Sequence, residues 1–255
     1  MKIESCVAII TGGVSGLGEA CVRNLVMNGA KVSIFDFAEE SGRKISWELG
    51  DAVLFCNTDV TDEETVRAAI NHTLDSFGAI HVAINCAGVG TPTKVLGKEG
   101  PMPMKHFNQV VQINLVGTMI VIRLAAEKML KNTPNEDGER GVIINTASIA
   151  AFEGQIGQAA YSASKAAVVG MTLPIAREFA DYGIRVVTIA PGIFDTPMGA
   201  GMPEKVKDSL RSMIPFPKRF GKPIEFAKLV NHIIENPMLN GEVIRLDGAL
   251  RMAGK

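Results

Sequence analysis

Short, continuous apolar runs alternate with helical segments along the whole chain, and this alternation restricts the possible folds most strongly. The apolar runs begin with CVAII and KVSIFDF and end with GEVIRLDGA, with four more between them. Apolar residues repeat with helical spacing in the intervening segments, as in residues 63–77, 107–131 and 159–182. Strands that are apolar on both faces are typical of a parallel sheet covered by helices on both sides. We therefore predict an α/β fold with a doubly wound parallel sheet and helices on both faces.

No internal repeat, low-complexity tract or linker divides the chain, so residues 1–255 are predicted to form a single domain. Two turn-rich polar segments, residues 91–106 and 132–140, interrupt the alternation. Such segments are expected at the surface of a compact domain. Long loops of this kind often carry function, and plain decoration of the surface is the alternative.

The charge balance argues against two classes of partner. The chain carries 26 Lys and Arg against 27 Asp and Glu, with a net charge of -1, so no strong field attracts nucleic acid or an anionic membrane.

No signal peptide is recognised in MKIESCVAIITGG, and no uncharged apolar run approaches the roughly 18 residues of a membrane span. The four cysteines lack C-x-x-C spacing, which favours a reduced, cytoplasmic chain. No nucleic-acid partner, membrane span or metal site is predicted.

A glycine-rich turn follows the first predicted strand and leads directly into a helix. Its sequence is TGGVSGLG, residues 11–18, with the spacing T-G-x-x-x-G-x-G. Glycines let the backbone approach a pyrophosphate, and the free N–H groups of the helix N-terminus attract its negative charge. Such turns also occur for purely structural reasons, but a strand before and a helix after are the context of a dinucleotide site. The predicted cofactor contacts here are Gly12, Ser15, Gly16, Leu17 and Gly18.

Asp36, in the second predicted strand, indicates which dinucleotide binds. It follows the glycine turn at close to the separation of about 20 residues that is expected for a ribose-binding acid. A carboxylate there accepts hydrogen bonds from the adenosine 2′-OH and repels a 2′-phosphate. No Lys or Arg at residues 12–17 or 37 could receive that phosphate. NAD is therefore predicted over NADP, and the alternative is that Asp36 only caps the following helix.

Two further strand ends are predicted to contact the cofactor, because ligands of open α/β sheets bind at the carboxyl ends of strands. Asp59 and Val60 end the third strand, on the adenine side. Cys86, Ala87 and Gly88 end the fourth strand, where small residues let the backbone meet the cofactor. Taken singly, each of these residues is also explained as an ordinary strand terminator.

Tyr161 and Lys165 are the leading candidates for catalysis. Residues four apart lie on one face of a helix, so the phenol and the ammonium are expected to converge. A free tyrosine has a pKa of about 10, and a nearby cation is expected to lower that pKa toward the working pH. The spacing Y-x-x-x-K is common by chance, and the alternative is an ordinary helix with an exposed lysine and a half-buried tyrosine.

Two polar residues strengthen this assignment. Ser148 ends the strand that leads into the same helix, and its hydroxyl is expected to lie near Tyr161 and to hydrogen-bond a substrate carbonyl oxygen. Asn114 lies in the apolar helix VVQINLVGTMIVI, where a buried amide must be hydrogen-bonded. It either accompanies a kink or holds a water that links Lys165 to solvent.

In this order, the motifs resemble those of the short-chain dehydrogenase/reductase family across essentially the whole chain. The resemblance implies a Rossmann fold and a catalytic tetrad of Asn114, Ser148, Tyr161 and Lys165. It implies that Tyr161 moves the hydroxyl proton in NAD-dependent exchange of an alcohol and a ketone, while Lys165 also holds the nicotinamide ribose. Cys86 departs from the second asparagine of many members. The residues implied to flank the nicotinamide are Pro191, Gly192, Phe194 and Thr196.

Within this family, long runs such as RGVIINTASIAAFEGQIGQAAYSASK and NPMLNGEVIRLDGALRM are similar to the type 2 3-hydroxyacyl-CoA dehydrogenases. This similarity implies oxidation of a small-molecule substrate, an L-3-hydroxyacyl-CoA, and a homotetramer. It also implies that Gln155 lines the substrate pocket beside Ser148 and Tyr161. Residues 193–220 are predicted to form a mobile lid, whose Met and Phe side chains suit an acyl chain or a steroid equally well.

Other functions are compatible with the same residues. A hydroxysteroid dehydrogenase or a 3-oxoacyl carrier-protein reductase would use the same tetrad, although the latter normally prefers NADPH and Asp36 argues against that. A non-catalytic NAD sensor would have no need of the Tyr161 and Lys165 pair, so the intact tetrad argues against it.

Four charged residues have no assigned role. Lys94, Lys98 and Lys105 in the first polar segment could meet CoA phosphates or remain solvated. Asp195 stands where the narrower group usually has a small residue, and the sequence offers no account of its effect.

Overall fold

The computed structural model describes residues 1–197 and 203–254. In this part of the chain, seven parallel strands form one sheet. The strands are β1 (Val7–Thr11), β2 (Lys31–Asp36), β3 (Val53–Asn57), β4 (Val82–Asn85), β7 (Gly141–Thr146), β8 (Ile184–Pro191) and β9 (Val243–Leu246). Their order across the sheet is β3-β2-β1-β4-β7-β8-β9, and every pairing is parallel. The predicted α/β class with a doubly wound parallel sheet is confirmed.

Helices connect the strands and cover both faces of the sheet. They are α1 (Gly16–Met27), α2 (Glu39–Leu49), α3 (Glu63–Phe77), α4 (Met104–Val111), α5 (Thr118–Met129), α6 (Ala159–Phe179), α7 (Glu204–Ser212) and α8 (Pro223–Glu235). The sequence explains some boundaries directly. The side chain of Asp62 caps the N-terminus of α3 by accepting a hydrogen bond from Glu64 N at 3.0 Å. Gly78 ends the same helix with a φ of 83°, a conformation that glycine adopts without strain.

The core consists of two aliphatic layers, one on each face of the sheet. Val22, Leu25 and Phe226 pack from α1 and α8 on one face. Val66, Ile122 and Ile175 pack from α3, α5 and α6 on the other face. All five residues of β1 are buried, because helices cover both sides of this central strand.

The two strands that pair with β1 belong to opposite halves of the sheet. β2 pairs with one edge of β1 and β4 pairs with the other, so the strand order reverses between β1 and β4. A crevice opens at the carboxyl ends of the strands at such a point, and ligands of this fold class bind there. The sheet therefore positions the functional site above Thr11 and Asn85.

The two polar segments contain more structure than the sequence indicated. Residues 91–106 include a short antiparallel hairpin, in which β5 (Leu96–Gly97) pairs with β6 (Gly100–Pro101), and the first turn of α4. In the segment 132–140, Glu139 is buried and accepts a hydrogen bond from Arg185 Nε at 2.7 Å. Most residues of both segments are exposed, as predicted, but residues 91–106 contain regular structure and residues 132–140 contain a buried charge.

α4 and α5 are joined by a π-helical segment, Gln112–Gly117, into one long apolar helix. By length and composition alone, the helix Met104–Met129 could cross a membrane, with a mean hydropathy of 1.5 in its most apolar window. Half of that window is buried inside the protein. A core helix has the same composition, so this is weak support for a span, and the predicted absence of a membrane span stays a prediction.

Candidate active site

The glycine turn between β1 and α1 forms a cradle that only glycine permits at two positions. Gly12 has a φ of 65°, and a Cβ there would lie 2.8 Å from Ala87 N. A Cβ on Gly18 would collide with Gly12 O. Because these two glycines have no side chains, a ligand has room to approach the backbone at the N-terminus of α1. This geometry fits the pyrophosphate of a dinucleotide.

Asp36 lies at the end of β2 beside this cradle and lines the same cleft. Its Oδ2 accepts a hydrogen bond from Val14 N at 3.4 Å, and its Oδ1 accepts one from Ala38 N at 3.1 Å. Ala38 precedes α2, so the capping alternative is realised in part. The same two bonds fix the carboxylate in the cleft, where a ribose hydroxyl could reach it.

The other predicted strand-end residues also line the cleft. Thr11 Oγ1 accepts hydrogen bonds from Cys86 N and Ala87 N, both at 3.1 Å, and so holds the end of β4 against the glycine turn. Asp59 is exposed, and its Oδ1 accepts a hydrogen bond from Thr61 N at 2.9 Å. The predicted residues at these two strand ends that line the cleft are Asp59, Val60, Cys86, Ala87 and Gly88.

The structure brings Ser148, Tyr161 and Lys165 together at the inner end of the cleft. Ser148 follows β7, and its hydroxyl is near enough to that of Tyr161 to lower the pKa of the phenol; the Ser148 Oγ also accepts a hydrogen bond from Ala150 N at 3.1 Å. Lys165 lies one helical turn after Tyr161, with its Nζ at 5.8 Å from the centre of the phenol ring. Lys165 Nζ donates a hydrogen bond to Thr146 O at 2.7 Å. The predicted convergence of the three side chains is present, and the alternative of an exposed lysine is wrong, because Lys165 is buried.

The pKa of Tyr161 departs from the expectation. Burial raises this pKa above the ordinary value, and the hydrogen bond with Ser148 lowers it only in part. Burial also lowers the pKa of Lys165 to about 8, because an ammonium loses its hydration inside the protein. The predicted net lowering of the Tyr161 pKa by the lysine is therefore wrong for the protein alone, because loss of hydration outweighs the favourable contacts.

Asn114 lies in the π-helical segment and is fully buried. Its Oδ1 accepts a hydrogen bond from Val89 N at 2.8 Å, and its Nδ2 donates to Val89 O at 2.9 Å. The same Nδ2 lies 3.0 Å from Ser164 Oγ, which donates to Tyr161 O. π-helical segments inside α-helices are frequent at functional sites. The side chain of Asn114 thus links the backbone after Gly88 to α6, and its predicted link to a relay water stays a prediction.

The segment after β8 closes the other side of the cleft. A Cβ on Gly16 would lie 3.4 Å from Thr196 Cβ, so Thr196 faces the glycine turn. Phe194 is buried and its ring packs edge-on against Phe226 at 6.5 Å, which makes it chiefly a support for this segment. Asp195 is exposed, and nothing in the structure explains it. The predicted residues of this segment that line the cleft are Pro191, Gly192, Phe194 and Thr196.

The cleft has a volume of about 840 Å³, which is large enough for a dinucleotide and part of a substrate. Gln155 lines it, as predicted. Thr146, Val89 and Leu210 also line it but were missed. Thr146 could have been found from its place at the end of β7. Met252 was missed as well, and no local signal in the sequence marks it.

Three other predictions concern the loop lysines, the lid and metal binding. Lys94, Lys98 and Lys105 are all exposed. Of the predicted lid, residues 198–202 lie outside the described residues. Within residues 1–197 and 203–254, no group of three or more His, Cys, Asp or Glu side chains is arranged to hold a metal ion.

Comparisons with known proteins agree with this geometry. The short chain dehydrogenase family model matches residues 6–207. The 3-hydroxyacyl-CoA dehydrogenase type-2 of Drosophila melanogaster is 55% identical over 252 residues, which are 98% of this chain and 99% of that protein. The protein of the same name from Homo sapiens is 52% identical over 98% of this chain and 97% of its own length. The crystal structure of 3-hydroxyacyl-CoA dehydrogenase type-2 from Mycobacterium avium matches with a TM-score of 0.95 and 43% identity, covering 99% of this chain and 98% of that one.

Proposed function

The chain belongs to the short chain dehydrogenase family and is an oxidoreductase, and from this premise we propose that it oxidises an L-3-hydroxyacyl-CoA to the 3-ketoacyl-CoA with NAD. The observation that carries the reaction type is the meeting of Ser148, Tyr161 and Lys165 beside a dinucleotide cradle. The substrate class is supported by the 3-hydroxyacyl-CoA dehydrogenase relatives, which match along nearly the whole chain.

Ser148 and Tyr161 have different roles in the proposed proton transfer. In oxidation the substrate hydroxyl would lie between Ser148 and Tyr161, and the phenolate form of Tyr161 accepts its proton. The Ser148 hydroxyl hydrogen-bonds the substrate oxygen as it becomes a carbonyl oxygen. A nicotinamide dinucleotide held by the glycine turn and Asp36 would supply the acceptor for the hydride of the alcohol carbon. In reduction, the phenol of Tyr161 returns the proton, and its raised pKa keeps it protonated near neutrality.

The preference for NAD over NADP is supported by Asp36. Its carboxylate is fixed by two backbone N–H groups beside the cradle, so it cannot easily turn away from a 2′-phosphate. The Asp36→Arg variant is expected to lose at least tenfold in kcat/KM with NAD and to gain activity with NADP. A variant that kept full preference for NAD would contradict the assignment. Asp51→Arg, at an exposed site outside the cleft, is the control.

The substrate class is tested by following the absorbance of NADH with a panel of alcohols. We expect turnover of L-3-hydroxyacyl-CoAs and little turnover of their D isomers. Good turnover of a hydroxysteroid with no acyl-CoA activity would favour a hydroxysteroid dehydrogenase. Preference for NADPH and a 3-oxoacyl carrier-protein substrate would favour a reductase. Absence of turnover with NAD binding intact would favour a non-catalytic NAD sensor.

A homotetramer is part of this proposal. Met119 on α5 and Leu173 on α6 expose 40% and 44% of their surface. All four residues of β9, at one edge of the sheet, are only half-buried. Apolar side chains and a free sheet edge of this kind are typical of surfaces that pair with another subunit. Light scattering coupled to gel filtration measures the mass, and a monomer would contradict the proposal.

The cytoplasm is the proposed location. Cys6, Cys21, Cys56 and Cys86 are all free thiols, and free thiols are usual in a reducing compartment. Fractionation of cells that express the chain tests this, and enrichment in an organelle or membrane fraction would contradict it.

A further inference from the structure

The last described residues, 250–254, are hydrogen-bonded to the loop that follows Ser148 and are here called the tail. Met252 of the tail lines the same cleft as Ser148 and Tyr161. Its side chain packs against the small apolar cluster of Ile149, Ile214 and Leu250. The tail therefore supplies an apolar wall on the same cleft as Ser148, although the two are about a hundred residues apart in the sequence.

Glu153 fastens this wall to the loop that carries Ser148. One of its carboxylate oxygens accepts a hydrogen bond from Met252 N at 3.3 Å. Arg245 of β9 binds both oxygens of the same carboxylate, at 2.8 and 3.1 Å, and donates to Leu250 O at 3.1 Å. Arg251 Nε lies 3.3 Å from the carboxylate. Arg245 holds the pKa of Glu153 below its usual range, so the carboxylate stays ionised near neutrality.

Two further hydrogen bonds join the tail and the loop. Gln155 Nε2 donates to Ala253 O at 3.0 Å, and Ile156 N donates to Gly254 O at 3.2 Å. The amide nitrogen of Gln155, predicted only as a substrate contact, is thus bonded to the tail. Because the bonds come from Glu153, Gln155 and Ile156 in turn, a shift of the tail would move the loop that begins at Ser148.

We propose that Met252 is a specificity-determining residue that contacts the apolar substituent of the substrate, and that Glu153 is a positioning residue that sets the distance between this wall and Ser148. The inference rests on the proposed function for its substrate class, but the wall would meet the apolar substituent of any secondary alcohol bound at Tyr161. An unbranched thioether side chain adapts to substituents of different length. Each methylene that loses its apolar contact is expected to cost about a fourfold loss in kcat/KM.

The experiment compares Met252→Ala with the wild-type enzyme on two series of increasing chain length, L-3-hydroxyacyl-CoAs and simple 2-alkanols. We expect kcat/KM to fall at least tenfold for a medium-chain substrate and less than twofold for the shortest one in each series. The KM for NAD should not change, because the tail contacts the substrate side. Met27→Ala is the matched control, since Met27 is 82% exposed on α1. An unchanged ratio of long-chain to short-chain activity in Met252→Ala would overturn the proposal.

Glu153→Gln tests the positioning role. It keeps the side-chain shape but removes the charge that Arg245 and Arg251 bind. We expect the same loss of chain-length preference through KM, with kcat on the shortest substrate within about threefold of wild type, and no further loss when it is combined with Met252→Ala. Glu178→Gln, at an exposed site on α6, is the control. Equal losses on all chain lengths would assign Glu153 to folding alone and overturn its positioning role.

The two series separate this proposal from the proposed function. Activity on alkanols but on no acyl-CoA would remove the acyl-CoA assignment, while the alkanol series still tests Met252. Activity on acyl-CoAs with an unchanged chain-length profile in both variants would remove the tail proposal and leave the proposed function standing.

Discussion

At the scale of single residues, burial controls the acid/base chemistry of the site. Tyr161 has a raised pKa and Lys165 has a lowered one for the same reason, which is the loss of hydration at the inner end of the cleft. A protonated phenol is ready to act as an acid. Ketone reduction should therefore be favoured near neutrality, and alcohol oxidation should accelerate as the pH rises toward the pKa of Tyr161.

The Tyr161→Phe variant should lose turnover and keep its cofactor. It removes only the hydroxyl that moves the proton, so kcat is expected to fall by about 10²–10⁴-fold, while the Kd for NAD changes less than threefold. Stopped-flow turnover and fluorescence titration measure the two quantities. Tyr182→Phe is the control, because Tyr182 is 48% exposed and lies outside the cleft. Undiminished turnover in Tyr161→Phe would remove the assigned role.

Lys165 should make folding less favourable at neutral pH than at alkaline pH. Its pKa is about 8 in the folded protein against 10.5 as the ordinary value. Below pH 8 Lys165 is charged in both the folded and the unfolded state, but only in the folded state has its ammonium lost its hydration. Between pH 8 and 10.5 only the unfolded state keeps the proton, so stability rises with pH. The free energy of unfolding of the wild type should gain about 2–3 kcal/mol relative to Lys165→Met between pH 7 and 10.

Urea denaturation at the two pH values measures this difference. Lys131→Met, at an exposed site after α5, should show no such dependence on pH. A constant difference between the wild type and Lys165→Met would show that the ammonium is hydrated in the folded protein.

At the scale of elements, the cradle depends on the contact between the first turn of α1 and the end of β1. Gly18→Ala would place a methyl group against Gly12 O, and overpacking of this kind costs about 1–3 kcal/mol. The Kd for NAD is expected to rise at least tenfold because the cradle must open. Gly170→Ala is the matched control, since a Cβ there meets open space on α6. It should stabilise the protein by about 0.5–1 kcal/mol. Calorimetric titration measures the Kd for NAD of each variant, and urea denaturation measures its free energy of unfolding. Unchanged NAD affinity in Gly18→Ala would contradict this account of the cradle.

The segment 132–140 should contribute to stability through the buried carboxylate of Glu139, which pairs both with Arg185 and with the N-terminal ammonium of Met1, the latter at 3.2 Å. Arg185 of β8 and Glu139 lie 2.7 Å apart, with only 7% and 5% of their side chains exposed. Glu139→Gln leaves the guanidinium without its counter-charge, and breaking a buried pair costs about 3–5 kcal/mol. Glu136→Gln, exposed in the same segment, should change stability by less than about 0.5 kcal/mol. Equal unfolding midpoints for the two variants would contradict this account of the segment.

At the scale of the whole molecule, the cleft joins the ends of strands from both halves of the sheet, so the cofactor should stabilise the entire fold. NAD at about 100 times its Kd is expected to raise the free energy of unfolding by ~2.7 kcal/mol. For a chain of this size the Tm would rise by roughly 5–10 °C. The same concentration of NADP should give a much smaller rise, because Asp36 repels the 2′-phosphate. Differential scanning calorimetry measures both shifts, and equal shifts would contradict the preference for NAD.

The sequence by itself determined the features that depend on local spacing. Continuous apolar runs predict a parallel sheet, the glycine turn predicts the cradle, and the interval from Tyr161 to Lys165 predicts a shared helical face. Each follows from backbone geometry within a few residues. The residues of the cradle came from a motif of the same local kind, whereas Gln155 was implied only by the resemblance to the type 2 3-hydroxyacyl-CoA dehydrogenases. Both line the cleft.

Tertiary structure decided what depends on contacts between distant parts of the chain. The direction of the Tyr161 pKa follows from burial, which no spacing shows. The two hydrogen bonds between the Asn114 side chain and the backbone of Val89 depend on how the π-helical segment packs. Met252 reaches the cleft only because Glu153 and Arg245 fasten the tail beside Ser148. Hydration and long-range packing are properties of the folded chain, so the sequence predicted the chemistry at Tyr161, and the structure showed which side chains line the cleft around it.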